Sequence, residues 1–324
     1  MPRTDQLRRF FCLFAFLLFF CLATATMAHS SQADKVVTYK DSNGWKLLVN
    51  GESHFIKGVV WGYTPIGENY AYNLWGKSDE YIKSVLDYDC KLMQAAGVNT
   101  IRSFFDTPPK WVEYIYQEYG IMTIVNDLMG RYGVMADGVW YPETEMDYSN
   151  PRIRKTLKNN FLETVKKFKN TPGVLMFALG NESNYGLHWR SGEIEDLPDN
   201  EQFQEKAKFL YSLFNEVIVA AKEIDPDRPY SIVNGDIQYL DLIAEYCPDL
   251  DVLGTNVYRG YSFINDESNL WTDVKTKLDL PIMFMEFGSE AYNMVTDQED
   301  QSAQANMLLS QWQEIYAQSY GNGL

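Results

Sequence analysis

Two short segments, Leu179-Gly180-Asn181-Glu182-Ser183 and Phe284-Met285-Glu286-Phe287-Gly288, each set one glutamate directly behind an uncharged run. Those runs are Gly173-Val174-Leu175-Met176-Phe177-Ala178 and Pro281-Ile282-Met283-Phe284-Met285. Both are too short for a helix and read as strands of a parallel sheet covered on its two faces. Two carboxylates delivered to one cleft are what acid/base cleavage of a glycosidic bond requires. The glutamates stand 104 positions apart, which leaves room for three strand-helix units of about 35 residues each in a barrel of roughly 250. One glutamate behind one strand is ordinarily a solvated loop charge; two, at matching strand ends and at this spacing, point to a shared site.

The elements that must position them follow from an alternation of short apolar runs with longer amphipathic ones. Strands are expected over Phe55 to Trp61, Asn99 to Phe105, Ile121 to Asn126, Val174 to Gly180, Tyr230 to Asn234, Val252 to Val257 and Pro281 to Glu286. Helices are expected over Glu80 to Ala96, Lys110 to Tyr119, Pro151 to Lys169, Asn200 to Ile224, Gln238 to Tyr246, Leu270 to Lys277 and Gln298 to Ser319. Regular alternation of this kind is α/β, a (β/α)8 TIM barrel, in which the eighth strand finds no counterpart. An open barrel exposes two strand edges, which natural proteins avoid; the chain is therefore expected to be C-terminally incomplete. The alternatives are a mis-assigned strand, or closure by the apolar pair Val36-Val37-Thr38-Tyr39 and Trp45-Lys46-Leu47-Leu48-Val49, whose intervening Asp41-Ser42-Asn43-Gly44 reads as a hairpin turn. No glycine-rich phosphate loop follows the first strand, which argues against a dinucleotide fold.

The chain opens with Arg3, Arg8 and Arg9, an apolar stretch from Phe10 to Leu22, and then small residues. This is the pattern of a signal peptide over residues 1–28. The stretch falls short of the ~20 residues that cross a bilayer, and the bulky Phe20 before Cys21 argues against lipidation. A secreted or periplasmic protein is expected, with a leader and hairpin over 29–54 and the barrel over 55–324. Loss of the signal takes the net charge from −16 to −18, an acidic balance that repels phosphate backbones and speaks against nucleic acid as a partner. Cys90 and Cys247 remain and fall on helices of non-adjacent units, where buried free thiols are expected over a disulfide. His29, His54 and His188 are too scattered for a metal site. No cofactor is called for, and oligomeric state is not legible.

The two glutamate segments, the lead-in from Leu48 to Val59 with its Asn50-Gly51 turn, and Gly97-Val98-Asn99-Thr100-Ile101-Arg102 together resemble the catalytic barrel of glycoside hydrolase family 2 over about residues 45 to 316. Family 5 enzymes and β-1,3-glucanosyltransferases share the same glutamate logic and stand as neighbours. The resemblance implies carboxyls about 5 Å apart and a retaining reaction, with Glu286 as nucleophile and Glu182 as general acid and base. Like charges that close do not ionise together easily, so Glu182 is expected to hold the proton and Glu286 the charge. Arg102 would orient Glu286, or else form a salt bridge elsewhere. Tyr258 matches the tyrosine that hydrogen-bonds the nucleophile, or is one packing residue among 22 tyrosines. Asn181 would donate to the sugar 2-hydroxyl, or cap the next helix.

Trp61, Tyr63, Trp140 and Trp189 fall at strand ends or in loops near the same face, where rings stack on sugars as readily as they pack in a core. His188 would touch a leaving-group sugar, or is an ordinary loop histidine. Asn126-Asp127 and Asn234-Gly235-Asp236 end strands three and five, with substrate contact and helix capping both open. The segment from Leu128 to Asn150 is expected to wall the cleft. The implied activity is retaining β-glycoside hydrolysis of an oligo- or polysaccharide. The alternatives are a transglycosylase using the same residues and a carbohydrate-binding barrel without turnover; sugar, linkage and endo or exo action are not legible.

Overall fold

The computed structural model describes residues 33–322 apart from 70, 105, 266 and 267. The expected signal segment 1–28, with Cys12 and Cys21, and His29 beyond it lie outside the described residues. Seven strands, β4 (Gly58–Val60), β5 (Thr100–Phe104), β6 (Met122–Asp127), β9 (Val174–Leu179), β10 (Tyr230–Gly235), β11 (Val252–Asn256) and β12 (Ile282–Glu286), pair in parallel in that order. Between them run α1 (Asp79–Ala95), α2 (Pro109–Tyr119), α3 (Pro151–Phe168), α4 (Asp199–Lys222), α5 (Leu240–Tyr246) and α6 (Leu270–Lys277), and α7 (Gln301–Ala317) follows the last strand. Each stands where the alternation placed it, to within three residues at either end.

Strands β6, β9, β10 and β11 form because their mostly apolar side chains bury in two directions at once. In β9 all six residues are buried: Val174, Phe177 and Leu179 pack outward among the helices, while Leu175, Met176 and Ala178 fill the barrel interior. The helices start and stop on local signals. Ser78 accepts from the Tyr81 amide ahead of the acidic first turn of α1, and Asn150 accepts from the Arg152 amide with Pro151 at the first position of α3. Gly120 ends α2 in the left-handed conformation at φ 67°.

The first barrel strand is shorter than expected. Only Gly58, Val59 and Val60 pair, and only with β5, because β4 and β12 are the two end strands of the sheet and do not hydrogen-bond to each other. Among the described residues no eighth strand lies between them. Val59 and Val60 are 38% and 45% exposed at this seam, and a cleft of about 1160 Å³ runs along it from Tyr258 and Glu286 past Val59 and Met285 to Trp312 and Tyr316.

The hairpin is present but does not close the seam. β1 (Val36–Asp41) and β2 (Gly44–Val49) pair antiparallel and are extended by β3 (Glu52–Ser53) into a separate sheet. Its Val36, Leu47 and Val49 pack with Met122, Val252 and Met283 at the amino ends of the barrel strands, so the hairpin plugs the end opposite the two glutamates. The turn after α7 fastens onto it through the Tyr320 hydroxyl, which donates to Asp41 at 2.6 Å, and within α7 Trp312 and Tyr316 set their rings edge-on to Phe55, two residues beyond β3, at 6.0 and 6.1 Å. One further pair of strands, β7 (Val134–Ala136) and β8 (Val139–Tyr141), forms an antiparallel hairpin inside the segment expected to wall the cleft.

Cys90 and Cys247 are free and buried, and loss of hydration pushes both thiols up to about 12. Neither is a thiolate at neutral pH, so neither is nucleophilic. Iodoacetamide at pH 8 is therefore expected to leave the Cys90 and Cys247 peptides unmodified in the native protein and to alkylate both in urea. Mass mapping checks this, and rapid native labelling of either contradicts the burial.

Candidate active site

Parallel strands point their carboxyl ends to one face, so side chains at the last strand positions converge there. Arg102 on β5, Asn126 on β6, Asn181 and Glu182 just beyond β9, Asn256 on β11, Tyr258 just beyond it, and Glu286 on β12 form one connected cluster.

Arg102 organises it. The side chain is 3% exposed, and a buried cation costs several kcal/mol unless its donors are taken up. Nε donates to Asn126 Oδ1 at 2.8 Å, one terminal nitrogen donates to Glu286 Oε1 at 2.6 Å, and the other donates to Asn181 Oδ1 at 2.7 Å. Burial pulls the guanidinium pKa down and the Glu286 charge opposes it; starting from its usual value above 12, the group stays charged. Because a guanidinium only donates, both amide oxygens must face it, which aims both amide NH2 groups elsewhere. Asn126 Nδ2 turns to the Gly180 carbonyl at 2.8 Å and staples β6 to the turn that carries Glu182. Asn181 Nδ2 turns to the Tyr132 hydroxyl at 3.0 Å.

The two carboxylates sit in different surroundings. Glu286 takes Arg102 on one oxygen and the Tyr258 hydroxyl, at 2.9 Å, on the other. Burial and the Glu286 charge both push the Tyr258 phenol upward, so it is a donor throughout the working range. Glu182 takes one neutral donor on its carboxylate, Asn256 Nδ2 at 3.1 Å. Its backbone is left-handed at φ 54°, two residues after Gly180 at φ 79°. The sharp turn lets the Glu182 amide donate to the Val233 carbonyl of β10 at 2.8 Å, while Arg131 Nε reaches the Glu182 carbonyl at 3.1 Å. A non-glycine residue held there carries strain that neighbouring contacts must offset.

The structure brings together Glu182, Glu286, Asn181, Arg102 and Tyr258 and leaves out three other residues singled out from the sequence. Trp61 is 9% exposed, with its indole donating to Asp89 at 2.9 Å and its ring against Trp75; it is a core residue with no face for a sugar. Trp189 is 1% exposed, between the edge of Tyr148 and the Lys206 ammonium, because the loop after Glu182 folds it inward onto α4. His188 is exposed and joins none of the cluster's hydrogen bonds among the described residues. Asn234 and Asp236 serve structure: Asn234 accepts from buried Tyr211, and Asp236 takes both arms of Arg259. Asp127 faces α3 through Thr164.

Sequence reasoning left Asn126 unassigned and missed Asn256 and Tyr132. Strand-end position was the available signal for the first two. Tyr132 had no signal beyond its place in the wall segment.

The model of glycosyl hydrolases family 2, TIM barrel domain, matches residues 46–321. A β-glucuronidase of Sus scrofa is 23% identical over 258 residues, covering 76% of this chain and 32% of the relative; the chain thus spans about a third of the length of that curated relative. Among solved structures, a β-glucuronidase of Bacteroides uniformis superposes with a TM-score of 0.62 at 14% identity, over 88% of this chain and 31% of that one. A GH2 β-galacturonidase of Eisenbergiella tayi does so with a TM-score of 0.58 at 17% identity, over 88% and 45%. These likenesses establish the barrel.

Removing the guanidinium is expected to be costly even without substrate. Arg102→Ala leaves the Glu286 carboxylate and two amide oxygens without their donor, and should lower unfolding free energy by about 3 to 5 kcal/mol. Urea unfolding followed by tyrosine and tryptophan fluorescence measures it. A midpoint within error of the parent contradicts the central place given to Arg102.

Proposed function

The chain belongs to glycosyl hydrolase family 2, and from that premise we propose that it is a β-glycosidase that cleaves its substrate with retention of anomeric configuration. The observation that carries the reading is the unequal treatment of the two glutamates: Glu286 is gripped on both oxygens by Arg102 and Tyr258, while Glu182 faces a single neutral amide. A carboxylate oriented by donors on both oxygens is placed to attack; one with a single neutral donor is left facing the cleft for the departing oxygen.

In the first step Glu286 attacks the anomeric carbon as the glycosidic bond breaks, and Glu182 passes its proton to the departing oxygen. The product is a glycosyl ester on Glu286 and an ionised Glu182. In the second step Glu182 takes a proton from water as that oxygen attacks the same carbon, releasing the sugar and restoring both groups. A sugar hydroxyl in place of water would give transfer instead of hydrolysis. Asn181 Nδ2, which faces the Tyr132 hydroxyl, is the donor we assign to the sugar 2-hydroxyl, a contact that tightens in the transition state. Among the described residues no group of His, Cys, Asp and Glu is arranged to hold a metal ion.

The substrate class is a β-linked carbohydrate. The Sus scrofa relative is a β-glucuronidase, which makes a glucuronide one natural probe beside neutral sugars. We also read residues 1–28 as a secretory signal, which would place the enzyme where extracellular glycans are met.

The test is turnover of aryl β-glucoside, galactoside, mannoside and glucuronide and of β-1,3- and β-1,4-glucan oligosaccharides. At least one is expected to be cleaved, with a loss of about 10⁴-fold or more in Glu286→Gln. Glu182→Gln should lose less on aryl glycosides with acidic leaving groups, which need little protonation. Parent-like rates from Glu286→Gln, or no turnover by the folded chain, overturn the reading.

A further inference from the structure

The hairpin β7–β8 has two unlike faces. Val134 and Ala136 are buried, and Val134 packs with its cross-strand partner Tyr141 in the core beneath the hairpin. Met135 and Trp140 are cross-strand partners on the other face, and each is 55% exposed. A tryptophan so exposed on a protruding hairpin would normally be free to swing, yet this ring is seated. Gly133 has φ 113°, and a Cβ placed on it would lie 2.4 Å from Trp140 Cζ2. The indole therefore lies directly over the glycine backbone, in space that any other residue at 133 would occupy.

The neighbour of that glycine joins the platform to the catalytic cluster. Tyr132, also 55% exposed, accepts from Asn181 Nδ2 at 3.0 Å. One face of its ring is covered by the Arg131 guanidinium at 5.1 Å, and Arg131 in turn donates to the Glu182 carbonyl. Two exposed rings, fixed by a glycine and by a cation, thus continue outward from the residues that hold the acid/base glutamate.

We propose that Trp140 and Tyr132 form a stacking platform for a neighbouring sugar of an extended β-linked chain, next to the sugar whose bond is cleaved, so that the natural ligand is an oligosaccharide or polysaccharide and not a simple glycoside. The inference rests on the glycosidase reading and deepens it. The chemistry fits. The apolar C–H face of a β-linked sugar pairs with a flat aromatic face at little entropic cost, because each ring turns about only two side-chain bonds and already has a neighbour to rest on. The Tyr132 hydroxyl's contact with Asn181 places this ring beside the catalytic cluster.

The experiment is equilibrium binding by calorimetry to Glu286→Gln, with β-linked disaccharides and tetrasaccharides of glucose, mannose, xylose and galactose as probes. At least one tetrasaccharide should bind more tightly than its disaccharide. Adding Trp140→Ala should remove about tenfold of that gain while weakening the disaccharide far less. Trp140→Phe should restore most of it. Gly133→Ala, whose methyl displaces the indole, should reproduce the loss with Trp140 still present. An equal loss on short and long ligands, no loss at all, or no tetrasaccharide bound more tightly than its disaccharide overturns the platform. The turnover test on Glu286→Gln is read separately, so failure of the platform and failure of the glycosidase reading give different results.

Discussion

A buried guanidinium cannot be left partly satisfied, and most of the site is arranged around that demand. Arg102 is out of water and carries its donors in a rigid planar fork, so its partners must come from fixed directions. They are supplied by three other strands: Asn126 from β6, Asn181 from the end of β9 and Glu286 from β12. One cation thereby ties together the carboxyl ends of four of the barrel's seven strands. A lysine, with its point charge and flexible stem, would meet the charge of Glu286 but not the fork geometry of the two amides. The orientation of both asparagines follows from the same fork, and with it the directions of their NH2 groups, one toward the Gly180 carbonyl and one toward the Tyr132 hydroxyl.

The second dependency is backbone geometry at the acid/base residue. Gly180 and Glu182 both lie in the left-handed region, and the turn they make carries the Glu182 amide across to β10 and its carbonyl to Arg131. Space as well as φ constrains the glycine: a Cβ on Gly180 would meet Ser183 Oγ at 2.7 Å and the Phe214 ring at 3.1 Å. Strain at Glu182 is held in place by contacts from β6, β10 and the wall segment, so the carboxylate is positioned by the barrel and not by a flexible loop. The two glutamates thus acquire different surroundings from a single scaffold, which is what a two-step displacement needs.

Much of this was legible in the sequence because it depends on pattern. Short, mostly apolar runs bounded by turn residues marked all seven strands, strand-end position placed Glu182 and Glu286 at one face, and the family resemblance pointed to Arg102, Asn181 and Tyr258 beside them. What failed was anything that depends on which way a loop turns. Trp61 and Trp189 occupy positions of the same kind as Trp140, yet the first two fold into the core while Trp140 lies over a glycine in solvent; no local pattern separates these outcomes. Asn256 sits one residue beyond the strand's apolar stretch and carries the Glu182 contact, a role visible only once β11 is beside β9's turn. The seam was anticipated from the strand count, while the hairpin's place at the opposite end of the barrel was set by packing of Val36, Leu47 and Val49 against the barrel floor.

The cleft beside Glu286 runs along the seam between β4 and β12, where the hairpin and α7 also line it. It does not disturb the four-strand connection through Arg102, which lies on the hydrogen-bonded part of the sheet and at its far edge strand. This connection is what would make Glu286 a nucleophile and Glu182 its acid/base partner. The most direct test is proton NMR of the sugar first released from an aryl β-glycoside, recorded before the anomers equilibrate. The β-anomer is predicted to be released first and to convert slowly to the mixture; first release of the α-anomer would mean inversion and would contradict the roles assigned to both glutamates.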